Sequence, residues 1–380
     1  DEGGIELRAD GAGEVGNLLA GVGIRLEGER VTVQSDLAAH FIDIDVTESL
    51  TLGGNFTAPE GVVFAADNKQ LTVSRLNDES GVGEGGGSGD ATPRAPIEIV
   101  TNTVDTAVLQ SMSGPEEVIN IRPLDPNREI LIGAAERNDA GILFLNSEEV
   151  SRIDIQELVI GDPETLAEGD SPLAVTIEVG VADDPNTDDV EGIDFSMPVT
   201  IRAEGDGASI LLSGSLTGKG LKVFGPGNTT TLEDIAIEKS GDVLLSDRIV
   251  LDGDASISAG AGEGESGDVT VRGSLSASGD ETDLVVSAQG GDVHFEGVID
   301  DQAGYHLVSL TINDADNVTF DDVITIDGDV VINASGNVRF ESTVNILEGG
   351  SLSITGAQDV YFGGETTVSA TGEDAVVIVS

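Results

Sequence analysis

Carboxylates are the side chains in this sequence best placed to do chemistry. Asp183, Asp184, Asp188 and Asp189 crowd into one loop-like run, Asp183-Asp184-Pro185-Asn186-Thr187-Asp188-Asp189, while Asp314, Asp316, Asp321 and Asp322 flank a single strand. Asp252 and Asp254 bracket a glycine. Hard oxygen ligands at alternate positions are what Ca²⁺ prefers, so the first two groups are candidate calcium ligands. Neither matches an EF-hand loop or the glycine-rich nonapeptide calcium repeat. No motif requires a cofactor, and calcium is the one ion for which the chain offers a rationale.

Nucleophiles and bases are sparse. The three histidines, His40, His294 and His306, form no H-E-x-x-H pair, and His294 falls on the outward position between Val293 and Phe295. With Cys 0, thiolate zinc sites and cysteine nucleophiles are excluded. There is no G-x-S-x-G elbow and no P-loop. Glycine pairs such as Gly21-Val22-Gly23 lack the βαβ surroundings of a dinucleotide fingerprint. The enzymatic alternative is a polysaccharide-cleaving β-helix, which needs two carboxylates at a defined separation on one face. Among 71 acidic residues such pairs arise by chance, whereas aromatic platforms for sugar are scarce, with Trp 0 and Tyr 2. Lys219, Lys222, Lys239 and Arg248 are the nearest approach to a basic group. The reading is therefore non-enzymatic.

Lys+Arg 17 against Asp+Glu 71 gives a formal net charge of -54. Affinity for phosphate backbones rests on cationic side chains, so a nucleic-acid partner is disfavoured. An anionic membrane surface is disfavoured for the same reason, and no apolar run approaches the length of a membrane-spanning helix. Self-repulsion at this density costs stability unless salt screens it or divalent cations bind the carboxylates.

The elements that must position these residues announce themselves as a repeat. Gly241-Asp242-Val243, Gly267-Asp268-Val269, Gly291-Asp292-Val293, Asp316-Asn317-Val318, Gly336-Asn337-Val338 and Gln358-Asp359-Val360 place valines 26, 24, 25, 20 and 22 residues apart. That period is the signature of a solenoid. Within the repeat, Leu310-Thr311-Ile312 aligns with Val330-Val331-Ile332, then Val318-Thr319-Phe320 with Val338-Arg339-Phe340, then Ile324-Thr325-Ile326 with Val344-Asn345-Ile346. A further copy reads Leu352-Ser353-Ile354, Val360-Tyr361-Phe362 and Thr366-Thr367-Val368. Each turn thus holds about three apolar-polar-apolar strands, with alternate side chains inward. Gly, Asn and Asp suit the tight corners. The expected fold is all-β, a right-handed parallel β-helix with irregular loops and an interior of stacked aliphatic side chains. On the order of 15 turns about 4.8 Å apart would give a rod of roughly 70–80 Å.

Four segments are expected. Residues 1–76 read as irregular solenoid turns, including Ile42-Asp43-Ile44-Asp45-Val46 and Ser49-Leu50-Thr51-Leu52. Residues 77–96, rich in Gly, Ser and acid, read as a loop or linker. Residues 97–233 continue the irregular solenoid, and 234–380 hold the regular repeats. Near 147–153 the strand pattern yields to a short helix: Asn146 can cap it, with Glu149 placed as the capping-box partner. The chain opens Asp1-Glu2-Gly3-Gly4 without an apolar leader, and Ala375-Val376-Val377-Ile378-Val379-Ser380 stops within a strand pattern. The expectation is a piece of a longer chain, or a terminal turn covered by another chain. Sequons occur at Asn55, Asn228, Asn317 and Asn333.

The run Gly141 to Asp162, strand then Glu149-Val150-Ser151-Arg152-Ile153 then Leu158-Val159-Ile160-Gly161, resembles a module of filamentous haemagglutinin-like secreted proteins. Leu310 to Val379 is similar to β-helical repeats of giant bacterial surface proteins. The resemblance implies a right-handed β-helix exported to the cell surface for adhesion or structure, and it carries over no functional residue. The expected role is an extracellular structural segment or filament subunit, whose partners are copies of itself or adjoining segments of a longer chain. The alternative is an adhesin that binds cell-surface glycans or proteins.

Overall fold

In the computed structural model, residues 5–15, 18–19, 23–33, 37–38, 41–52, 56–57, 62–66, 70–73, 97–101, 114–123, 125–133, 142–162, 172–181, 192–225, 229–262, 265–279, 282–299, 306–347, 349–363, 368–370 and 376–379 are described. The strands pair in parallel sheets and stack turn upon turn as a β-solenoid with almost no helix. By internal contacts the chain separates into two units, residues 1–132 with 136–171, and residues 133–135 with 172–380.

In the first unit, Ile5–Val15, Gly23–Val33, Phe41–Leu52, Val62–Ala66, Ile97–Thr101, Gly114–Arg122 and Ile155–Gly161 follow one another across a sheet. Isoleucines carry its register: Ile24 pairs with Ile42, Ile119 with Ile97 and Ile121 with Ile99. Ile24, Ile99, Ile119 and Ile121 are buried. The expected helix is one turn, Ser147–Val150. Asn146 Oδ1 accepts the Glu148 amide N–H at 3.0 Å, and Arg152 pairs with Glu148 at 3.2 Å across one turn. The side chain of Glu149 and the 77–96 segment lie outside the described residues.

In the second unit, one sheet runs through Val199–Arg202, Leu221–Phe224, Val243–Leu245, Val269–Val271, Val293–Phe295, Val318–Phe320, Asn337–Phe340 and Asp359–Phe362. The motif valines are stacked in register from Val243 to Val360. Two earlier turns, led by Val199 and Leu221, belong to the same column without the Gly-Asp signature. A second column holds Leu310, Val330, Leu352 and Val377, and a third holds Ile324, Val344 and Val368. The register corrects one alignment: Val368, not Thr366, faces Val344. The cause is a corner two residues longer, since Phe340 precedes Val344 by four positions and Phe362 precedes Val368 by six.

The interior departs from the aliphatic stack expected. Phe295, Phe320, Phe340 and Phe362 form a continuous ring column, with centroids 5.3, 5.1 and 5.2 Å apart and planes within 9°. The solenoid rise places identical positions one ring thickness plus an offset apart, so phenylalanine at a repeated inward position stacks on itself. Each such pair adds about 0.5–1.5 kcal/mol beyond its burial.

Candidate functional site

The recurrent Asp or Asn of the motif has a defined job. Asp242 Oδ1 accepts the Asp268 amide N–H at 2.9 Å, and Asp268 Oδ1 accepts that of Asp292 at 2.8 Å. Asp292 Oδ1 accepts both the backbone N–H and the Nδ2 of Asn317, at 3.1 and 2.9 Å. Asn317 Oδ1 then accepts the Asn337 amide N–H at 2.9 Å. A strand entering a corner leaves a backbone donor without a ladder partner, and the preceding turn's side-chain oxygen supplies the acceptor. The neighbouring glycine is dictated by close approach: a Cβ on Gly291 would lie 2.4 Å from the Gly267 carbonyl oxygen. Other carboxylates do similar work at other corners. Asp254 Oδ1 accepts the Asp283 N–H at 3.0 Å, Asp329 Oδ1 accepts both the N–H and Oγ–H of Ser351 at 2.8 Å, and Asp252 accepts the Ser278 hydroxyl.

The candidate calcium ligands divide. Asp183, Asp184, Asp188 and Asp189 lie outside the described residues. Asp314, Asp316, Asp321 and Asp322 are described, and the carboxylates of Asp316, Asp321 and Asp322 are engaged elsewhere. Asp314 sits at a left-handed corner with φ 54, its carbonyl accepting the Gly290 N–H. Asp316 accepts the Ser335 hydroxyl at 3.1 Å and the Asn317 side-chain amide at 3.2 Å. Asp321 meets His294 Nε2 at 2.8 Å, and Asp322 caps the Val323 N–H at 2.8 Å. Among the described residues, no three His, Asp or Glu side chains are grouped so as to hold a metal ion. No helix of the described residues is long and apolar enough to cross a membrane.

One outward row does bring unlike charges together. Arg272 Nε reaches Glu296 at 3.4 Å, and His294 lies between Glu296 at 3.9 Å and Asp321 at 2.8 Å. Further along, Arg339 pairs with Glu341 while its guanidinium sits 4.7 Å above the Tyr361 ring. These side chains come from successive turns at matching positions, so the row is a product of register. All of them remain partly exposed, and Tyr361, at 49%, is the most exposed large apolar residue described. Sequence placed His294 outward correctly, but its carboxylate partners come from other turns and no local spacing reveals them. His40 lies outside the described residues.

Four ionisable side chains are buried among the described residues, Arg122, Asp162, Lys239 and Asp247, and the last two have their interior partners defined. Lys239 is fully buried: its ammonium donates to the Thr217 carbonyl oxygen and sits 4.8 Å from the Phe195 ring centroid. Gly218, with φ 110 and no room for a Cβ beside the Phe195 carbonyl, occupies the turn between them. Burial lowers the Lys239 pKa to about 7, with Asp194 pulling weakly the other way. The basic group of the sequence therefore dissolves, since Lys219 and Lys222 face outward and Lys239 faces inward. Asp247 is likewise buried; its carboxylate accepts the Thr230 hydroxyl at 2.7 Å and the Gly225 N–H. Burial pushes its pKa up, against the pull of both hydrogen bonds.

Comparison with protein-family models, with curated proteins and with solved structures finds no match to this chain. The fold is compatible with β-helical repeat proteins, and no family match supports a filamentous haemagglutinin-like identity.

Proposed function

We propose that this chain is a non-enzymatic structural segment of an extracellular surface protein, a solenoid that spaces or stiffens rather than catalyses. The observation that carries this reading is the commitment of the motif carboxylates to bonds between turns, from Asp242 through Asp268, Asp292 and Asn317 to Asn337. A repeat selected for chemistry would hold its recurring carboxylates free to meet substrate; here the recurring oxygen accepts the next turn's amide. Nearest-neighbour coupling of this kind makes stability accumulate turn by turn, which suits a load-bearing element. The acidic surface keeps copies apart at low salt, and calcium bridging carboxylates is the proposed means of stiffening or joining them. Electron microscopy of the purified chain with and without millimolar Ca²⁺ tests this. Filaments much longer than one chain identify a polymer subunit, isolated short particles a segment of a larger surface protein, and turnover of a polysaccharide would overturn the reading.

A second reading, an adhesin, is favoured by the outward row that ends in Arg339 and Tyr361. A planar cation over an exposed aromatic ring, beside Glu341, offers stacking and paired hydrogen bonds to a glycan or protein surface. Loss of cell-surface binding on Tyr361→Ala, with thermal stability unchanged, would select it.

A further inference from the structure

Phe195, Gly218 and Lys239 hold the same position on successive turns, since Phe195 pairs with Gly218 and Gly218 with Lys239. Gly218 brings no side chain to that column. Ala259, which follows the Ser258 partner of Glu238, brings only a methyl group. A column of ring, glycine and alanine leaves interior room, and the Lys239 side chain takes it up, fully buried, with its ammonium over the Phe195 ring.

That slot suits an amine better than an ammonium. An ammonium carries three donors, and among the described residues the Thr217 carbonyl oxygen is the one acceptor Lys239 meets. A neutral amine donates to the same carbonyl and leaves no charge in the interior. Compensating charge is thin on every side. The strand Ile193–Phe195 brings Asp194, which is exposed and spends Oδ1 on the Thr217 hydroxyl at 3.1 Å. The strand Ser209–Gly218 carries no charged side chain, and Lys219 beyond it is exposed. Ser256-Ile257-Ser258 and Ala259-Gly260-Ala261 carry none, and Glu238, on the strand of Lys239 itself, is exposed.

The position is also one that can give way alone. Lys239 is the last residue of the strand Thr229–Lys239, beside the corner Ser240-Gly241-Asp242. Two backbone bonds close that end: the Ser240 N–H donates to the Gly218 carbonyl at 2.8 Å, and the Ala261 N–H donates to the Lys239 carbonyl at 2.8 Å. Releasing both lets the ammonium reach water while the ladder from Thr229 to Glu238 stays paired, a local opening far smaller than unfolding. We propose that this strand end is an acid-opened latch: a proton taken up by Lys239 drives residues 239–241 away from residues 259–261, and its loss closes them again.

The direction follows from where the proton is held. Burial lowers the Lys239 pKa to about 7 in the closed state, against 10.5 in water, while Asp194 pulls the other way. Between those values the open form keeps the proton that the closed form gives up. Opening is therefore favoured progressively as pH falls from 10.5 to 7, and little more is gained below that.

Hydrogen exchange of the intact chain, read by mass spectrometry and corrected for intrinsic exchange rates, tests the latch. Peptides covering 239–241 and 259–261 are expected to lose protection roughly a hundredfold between pH 9 and pH 6, the size set by a fall from 10.5 to about 7. Peptides covering 318–320 and 337–340 are expected to change by less than about threefold, which separates a local opening from a general loosening. Lys239→Met is expected to abolish the pH dependence at the latch. Lys239→Gln, which keeps a donor for the Thr217 carbonyl, is expected to do the same and serves if the methionine variant does not fold. Constant protection across the pH range would overturn the proposal. So would an equal loss in the distant strands, or a loss at the latch that persists without the lysine.

Discussion

The Lys239 ammonium lies 4.8 Å from the centroid of the Phe195 ring, inside the solenoid and beyond the reach of water. Attraction to the ring face and a hydrogen bond to the Thr217 carbonyl offset part of the desolvation, yet the pKa still falls to about 7 from 10.5. Below about pH 7 both folded and unfolded chains hold the proton, and the full penalty of the buried charge is present. Between pH 7 and 10.5 the unfolded chain holds more protons, so this group's contribution to stability improves as pH rises. Lys239→Met is expected to raise the melting temperature by several degrees at pH 6, with the gain shrinking toward pH 10. Thermal melts of both proteins across that range check it; a variant less stable at every pH would mean that ring and carbonyl more than repay the burial.

Removing one oxygen from the corner column leaves a backbone donor stranded. Asp268→Ala takes away the acceptor of the Asp292 N–H and is expected to cost about 1 kcal/mol. Asp268→Asn keeps an acceptor and is expected to lie within about 0.5 kcal/mol of the parent. Denaturant titration of the two variants separates a hydrogen-bonding role from a purely electrostatic one, for which both substitutions would act alike. Asn317, which stands in the same column, already shows that an amide serves. N-glycosylation at its sequon would replace one Nδ2 hydrogen, so one of the Nδ2 bonds to Asp292 and Asp316 is lost while the backbone N–H and Oδ1 bonds of the column remain.

The ring column offers a graded test. Phe320→Ala opens a cavity between two stacked neighbours and is expected to cost about 3–5 kcal/mol. Phe362, 37% exposed with one stacked neighbour, is expected to tolerate alanine at roughly half that cost. Equal losses, read by denaturant unfolding, would mean that Phe362 is covered in solution.

Charge density sets the response to ions. With a net charge of -54, transfer from high salt to low salt with a chelator is expected to lower the melting temperature, and millimolar Ca²⁺ is expected to restore it. Restoration by Ca²⁺ but not by an equal ionic strength of NaCl would identify specific sites. A melting temperature indifferent to all three conditions would remove ions from the account.

Legibility followed the strength of local rules. The turns from Val243 onward could be aligned because alternation and the Gly-Asp corner recur together, and the observed register of Val318 with Val338 and Ile324 with Val344 is the one read by eye. The turns of Val199 and Leu221 share the column but not the corner chemistry, so periodicity alone did not reveal them. Asp314, Asp316, Asp321 and Asp322 are close in sequence, yet corners and strand alternation hand the carboxylates of Asp316, Asp321 and Asp322 to different neighbours. Lys239 is grouped with Lys219 and Lys222 by sequence, but its burial over the Phe195 ring depends on a partner two turns away, which no local spacing reveals.

In the motif column, donor and acceptor never trade places. The side-chain oxygen belongs to the earlier turn and the amide to the later one at every step from Asp242 to Asn337. The column therefore has a grain. A newly made turn arriving in the order of translation meets an acceptor already set in place, whereas a turn added from the other side must bring its own. The two directions of growth therefore differ in what the incoming turn must supply, a backbone amide on one side and a side-chain oxygen on the other, so a turn cannot be inverted within the column without losing both bonds.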